Sequence, residues 1–110
     1  MKYPVRTEAH FTVVSLTGEV DLYYSPDARK QILRYLNDKQ HVLIDLSEVQ
    51  YIDSSGVASL VEGYQLAKSK GLEFGLVGVS QAAMQVLELA RLDQVFPIHA
   101  TVADRLNGAP

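Results

Sequence analysis

The period of hydrophobicity changes abruptly around residue 53, and that change constrains this chain more than anything else in it. Val42-Leu43-Ile44-Asp45-Leu46 is almost continuously apolar, the pattern of a strand covered on both faces. Downstream, Val57, Leu60, Val61, Tyr64 and Ala67 recur at the i, i+3, i+4, i+7 spacing of one helix face. Between the two stand Asp53-Ser54-Ser55-Gly56, at a strand-to-loop-to-helix corner. In an open α/β sheet such corners are where ligands and partners are met, because the first N–H groups of a helix are unsatisfied and carry partial positive charge. Two adjacent serines there suggest either anion binding or covalent attachment of a phosphate.

The remaining elements extend the alternation. Val5 to Glu8 and Phe11 to Leu16 are β-rich and separated by Ala9-His10, consistent with an opening hairpin. Ser25-Pro26 is expected to supply an N-cap followed by proline at the first helical position, with a helix over 26–36 lined by Ala28, Ile32, Leu33 and Leu36. A strand is expected over 41–46 and a helix from the Ser55 corner to Lys70, where Lys68 and Lys70 suit the negative end and Gly71 supplies the stop. Glu73 to Val79 should form a strand, and Ser80 should cap a helix carrying Ala83, Val86, Leu87 and Ala90. A short strand over Val95 to Ile98 and a final helix capped by Thr101, with Asp104 three residues on, complete the pattern. Helices between strands imply parallel pairing in the second half, hence an α/β fold.

Composition removes several classes of function. At 110 residues the chain is expected to form one domain spanning 1–110, with 107–110 as a flexible tail. Cysteine is absent, which leaves neither a disulfide framework nor a thiolate metal site, and no leading apolar segment suggests secretion. No apolar run approaches the roughly 18 residues of a membrane span, so a cytoplasmic location without membrane insertion is the natural expectation. The net charge is −3 and the lysines and arginines are scattered, which argues against direct nucleic-acid binding. His10, His41 and His99 fall at strand edges with no pair at metal-ligand spacing, so surface or structural roles are expected for them, and Asp45, inside an apolar strand, is expected to be a structural acid at the strand end rather than a catalytic one.

Two stretches carry a family resemblance. Val42-Leu43-Ile44-Asp45-Leu46-Ser47 followed by Tyr51-Ile52-Asp53-Ser54-Ser55-Gly56-Val57, with Leu16-Thr17-Gly18-Glu19-Val20-Asp21 upstream, resembles the STAS domain, specifically its anti-sigma factor antagonists. The resemblance implies a mixed sheet of four to five strands flanked by about four helices. It also implies that the unphosphorylated protein binds an anti-sigma factor, itself a serine kinase, and so frees the sigma factor. Phosphorylation of one serine reverses this, and a serine phosphatase restores it. By position the phosphate acceptor is Ser55, with Ser54 a capping or contact neighbour, and Glu19, Asp21, Asp53, Ser54, Ser55, Gly56 and Ala58 form the partner-binding set. No cofactor, metal or catalytic residue is implied, and a homodimer is left open.

Rival readings of the same residues remain. N-capping alone would account for a serine or Asp53 at the corner, and Gly56 is compatible with close packing or with the approach of a partner backbone. A hydrolase elbow requires G-x-S-x-G, whereas Asp53 stands two residues before Ser55 and Gly56 follows it directly. No G-x-x-x-x-G-K-[ST] or G-x-G-x-x-G stretch is present. Sigma-linked antagonists often carry S-S-G-L-G, whereas this chain has Val57 and Ala58, which keeps open a regulatory or scaffold subunit of a stress-signalling complex or of a lipid-transporting ABC system. Gly18 is expected to turn the chain out of the second strand. Tyr23 and Tyr24 could cover the core or form an exposed contact.

Overall fold

The computed structural model describes residues 2–108. The chain runs β1 (Val5–Glu8), β2 (Phe11–Val20), α1 (Ser25–Asn37), β3 (His41–Ile52), α2 (Ser54–Lys70), β4 (Phe74–Val77), α3 (Gln81–Leu89), a 3-10 turn at Leu92–Gln94, β5 (Ile98–His99) and α4 (Val102–Asn107). The five strands form one sheet in sequence order, with β1 antiparallel to β2 and every later pairing parallel. The mixed α/β sheet, the opening hairpin and the parallel second half are all as expected. Asn107 ends α4, and residues 109 and 110 of the expected tail lie outside the described residues.

Apolar neighbours along the central strands face opposite sides of the sheet, which explains why those strands are almost continuously hydrophobic. Val14, Ile44 and Leu76 join the larger core with Ala28, Ile32 and Leu36 of α1, Leu60 and Ala67 of α2, and Ala83 and Leu87 of α3. Val13, Leu43 and Val77 point the other way and, with Phe11, are covered by Val102 of the short α4.

Both strands leading to the corner are longer than their hydrophobic pattern suggests. β3 continues past Leu46 to Ile52, and β2 past Leu16 to Val20, with Thr17 opposite Glu48 and Val20 opposite Ile52. Register shifts between Ser15 and Thr17 and between Gly18 and Glu19 break the period-2 alternation. The buried residues of the extension, Leu46, Val49 and Ile52, are therefore spaced three apart, which conceals a strand from any alternation test. Gly18, at φ 70°, does not turn the chain out of β2; it lies within the strand, beside the register shift at which β3 carries an extra residue between Val49 and Tyr51.

Three local expectations shift by a residue or more. Ser25 is the first residue of α1, not its cap: Tyr24 takes that position without a side-chain bond, and the Asp21 carboxylate accepts the N–H groups of Tyr23 and Tyr24 instead. The last strand lies at Ile98–His99, not 95–98, because Val95 closes the 3-10 turn and Pro97 has no N–H to donate to a ladder. The fourth strand is confined to Phe74–Val77, two residues short of Val79, because Gly78 at φ 58° turns the chain. Ser80 and Thr101 cap α3 and α4, accepting from Ala83 N–H and Asp104 N–H, and Gly71 ends α2 at φ 69°.

Candidate functional site

The paired ends of β2 and β3 carry the candidate site. Val20 opposite Ile52 brings Asp53 beside the turn that leaves β2, so the two sequence stretches singled out above meet in space. Asp53 leaves the strand extended, at φ −110° and ψ −173°, the conformation of an N-cap. Its Oδ1 accepts the N–H groups of Ser55 at 2.9 Å and Gly56 at 3.2 Å, and the Ser55 hydroxyl at 2.5 Å. Its Oδ2 accepts the N–H of Leu22 at 3.1 Å. The Ser55 hydroxyl is the main cause that holds the Asp53 carboxyl below its ordinary value, with the N–H groups of Gly56, Ser55 and Leu22 adding to it against a smaller opposing effect of burial.

Capping of α2 thus falls to Asp53 rather than to Ser54. Ser54 is the first helical residue and is exposed. Ser55 is half-buried: its carbonyl accepts the Ser59 hydroxyl at 3.1 Å, and that hydroxyl also reaches the Ser25 carbonyl at 3.4 Å, tying the corner to α1. Gly56 is buried, and a Cβ built on it would lie 2.5 Å from the Val20 carbonyl oxygen and 2.7 Å from Ile52 Cγ1. The glycine lets α2 begin directly against both strand ends. Its place in the wall behind the corner separates it from exposed Ala58.

Glu19 is exposed on β2 opposite Tyr51, and Asp21 is half-buried as the organiser of its own turn. Around these acids lie apolar groups that alternation could not have revealed. Leu22 is 75% exposed, Tyr23 79% and Tyr51 51%. Tyr23 is therefore the exposed member of its pair, packing edge-on against half-buried Tyr24 with ring centroids 4.8 Å apart. On the other side of Ser54, a groove between α2 and α3 is lined by Val57, Ala58, Val61, Val86 and Ala90. The sequence hints at Leu22 and Tyr51 only by position, Leu22 directly after one of the two stretches and Tyr51 as the first residue of the other.

His10 and His41 are placed far from this corner, at the starting ends of β2 and β3, and His99 is the last residue of β5. His10 Nε2 lies 2.8 Å from a Glu73 carboxylate oxygen whose partner oxygen accepts from Arg105, and His41 Nδ1 accepts the Glu73 N–H at 2.9 Å. Asp45 Oδ1 accepts the Ser47 N–H at 2.9 Å, a local structural bond. Among the described residues no group of three His, Asp or Glu side chains is placed to hold a metal ion, and no helix is long and apolar enough to cross a membrane.

Comparison with known proteins gives consistent matches along the chain. The STAS domain family matches residues 2–105. The anti-sigma F factor antagonist of Paenibacillus polymyxa is 28% identical, over 97% of this chain and 95% of that protein. The anti-sigma-B factor antagonist of Listeria monocytogenes is 29% identical, over 86% of this chain and 83% of that protein. The crystal structure of an anti-sigma factor antagonist from Mycobacterium paratuberculosis superposes with a TM-score of 0.84 at 28% identity, covering 97% of this chain and 92% of that one.

Proposed function

The chain belongs to the STAS domain family, and from that premise we propose that it acts as an anti-sigma factor antagonist switched by phosphate on Ser55. One observation carries the reading: the Ser55 hydroxyl stands in the first turn of α2, held by Asp53, on a rim where Leu22, Tyr23 and Tyr51 expose apolar surface beside Glu19. Apolar side chains around a polar centre suit a protein partner. The names of the relatives support an anti-sigma factor as that partner.

In the unmodified state the rim, with Ser54, Ala58 and the α2–α3 groove, docks an anti-sigma factor that is also a serine kinase. The kinase moves the γ-phosphoryl group of a nucleoside triphosphate onto Ser55 Oγ; the hydroxyl proton is lost and the diphosphate leaves. The product carries about −1.5 to −2 extra charge beside Asp53 and near Glu19. Docking then fails, because the added group must be desolvated against a surface shaped for a neutral hydroxyl. A serine phosphatase restores the hydroxyl. The chain itself performs no catalysis, needs no cofactor and works in the cytoplasm. Exposed Ala58, where many such antagonists carry glycine, favours one second reading, a STAS scaffold or regulatory subunit whose partner belongs to a stress complex or a lipid transporter.

Capture of endogenous partners on Ser55→Ala and Ser55→Asp baits tests the proposal, together with mapping of ATP-dependent phosphate by mass spectrometry. A kinase partner should bind Ser55→Ala about a hundredfold more tightly than Ser55→Asp, as a coupling of a few kcal/mol gives. Equal binding to both baits overturns the switch. Capture of transporter or stress-complex subunits, with no phosphate on Ser55, establishes the second reading in its place.

A further inference from the structure

The two oxygens of Asp53 hold two different elements. Oδ1 accepts three donors from the start of α2, while Oδ2 accepts the N–H of Leu22, in the turn between β2 and α1. The rest of that turn is held from within, Tyr23 N–H and Tyr24 N–H by the Asp21 carboxylate and Ser25 N–H by the Asp21 carbonyl. Leu22 and Tyr23 are largely exposed, so packing adds little to keep the turn in place. The bond from Leu22 to Asp53 joins the middle of the turn to the corner, between the Asp53 N–H bond to the Val20 carbonyl at its start and the Ser59 hydroxyl bond to the Ser25 carbonyl at its end.

We propose that Asp53 is a relay, through which a phosphate on Ser55 releases the Leu22–Tyr23 turn. The inference rests on the reading that Ser55 accepts the phosphate. Esterification removes the O–H that donates to Oδ1 across 2.5 Å and puts a dianion against the carboxylate. The phosphate also seeks the N–H groups of Ser55 and Gly56, the donors a helix start offers an anion, and both are already committed to Oδ1. Two anions compete for one set of donors. As the carboxylate is displaced from Oδ1's partners, Oδ2 leaves the Leu22 N–H with it, because the two oxygens rotate as one plane. Phosphate on one residue then changes two neighbouring parts of the rim: the corner gains charge, and the apolar turn loses its anchor.

Phosphoserine encoded at position 55 of the full chain tests the relay without any kinase or partner. Amide hydrogen exchange of Leu22 is measured by NMR in the unmodified chain, with phosphoserine at 55, with phosphoserine at 54 as a charge control, and in Asp53→Asn. The Leu22 amide should be protected in the unmodified chain, exchange about tenfold faster with phosphate at 55, and stay protected with phosphate at 54. In Asp53→Asn an amide nitrogen replaces Oδ2, so Leu22 should already exchange fast and phosphate at 55 should add nothing. Equal protection with and without phosphate at 55, equal acceleration from position 54, or further acceleration in Asp53→Asn each overturns the relay. Faster exchange without a phosphate-sensitive kinase partner leaves the relay standing and removes the proposed function; the loss of that partner on phosphorylation with Leu22 still protected does the reverse.

Discussion

The Ser55 hydroxyl donates to Asp53 Oδ1 across 2.5 Å, and the same oxygen accepts the N–H groups of Ser55 and Gly56. The residue that presents the proposed phosphate acceptor is thus also the cap of the helix that carries it. Function and stability converge on a single carboxylate.

Loss of that cap should be measurable and depend on pH. Asp53→Ala should lower stability by about 1 kcal/mol at neutral pH, the usual value of an N-cap side chain, read from urea denaturation midpoints. The Asp53 carboxyl lies below the ordinary value of 3.8 in the folded protein, chiefly through the Ser55 hydroxyl. A group whose pKa is depressed by folding stabilises fully above its unfolded value and loses that contribution as pH falls through the folded one. The parent and Asp53→Ala curves should therefore lie apart at pH 7 and converge below about pH 4. A constant gap between pH 7 and pH 2 would mean that the charge of the cap contributes nothing.

Much of this arrangement was visible in the sequence, and what was hidden has a physical cause. The helix face over Val57, Leu60, Val61, Tyr64 and Ala67 and the caps at Ser80, Thr101 and Gly71 follow local rules, and the structure keeps them. The extensions of β2 and β3 were hidden because two register shifts destroy alternation where the strands approach the corner. Local rules do not choose between Asp53 and its serine neighbours as the cap, since Asp and Ser are about equally favoured there and only the backbone direction leaving Ile52 decides between them. The exposure of Leu22, Tyr23 and Tyr51 depends on tertiary placement, because a short apolar stretch next to a turn packs inward as readily as outward.

The buried hydroxyl of Tyr3 offers a stability test remote from the corner. Tyr3 is 1% exposed, yet its hydroxyl has no hydrogen-bond partner among the described residues, while its backbone N–H and carbonyl are both satisfied by the Gln31 amide. An unsatisfied buried polar group costs about 1 to 3 kcal/mol. Tyr3→Phe keeps the ring and removes that group, so it should leave stability unchanged or raise it by about 1 kcal/mol. A rise in thermal midpoint by differential scanning calorimetry checks this, and a clear loss would show that the hydroxyl is bonded in solution.

Gly56 permits the sharpest test of the corner's geometry, because two general rules predict opposite signs there. Helix propensity alone favours Gly56→Ala by up to about 1 kcal/mol, since glycine is the poorer helix former. The added Cβ would, however, sit 2.5 Å from the Val20 carbonyl oxygen and 2.7 Å from Ile52 Cγ1, and a backbone oxygen of a paired strand cannot move aside as a flexible side chain would. Overpacking of this kind costs about 1 to 3 kcal/mol, so packing should win and leave a net loss of about 1 to 2 kcal/mol. At exposed Ala58, two residues further along α2, propensity acts without that constraint, and Ala58→Gly should cost about 0.5 to 1 kcal/mol. Urea midpoints at unchanged m-value measure both substitutions. If Gly56→Ala instead stabilises the protein, α2 does not start against the ends of β2 and β3, and Asp53 loses the fixed frame from which it holds Ser55.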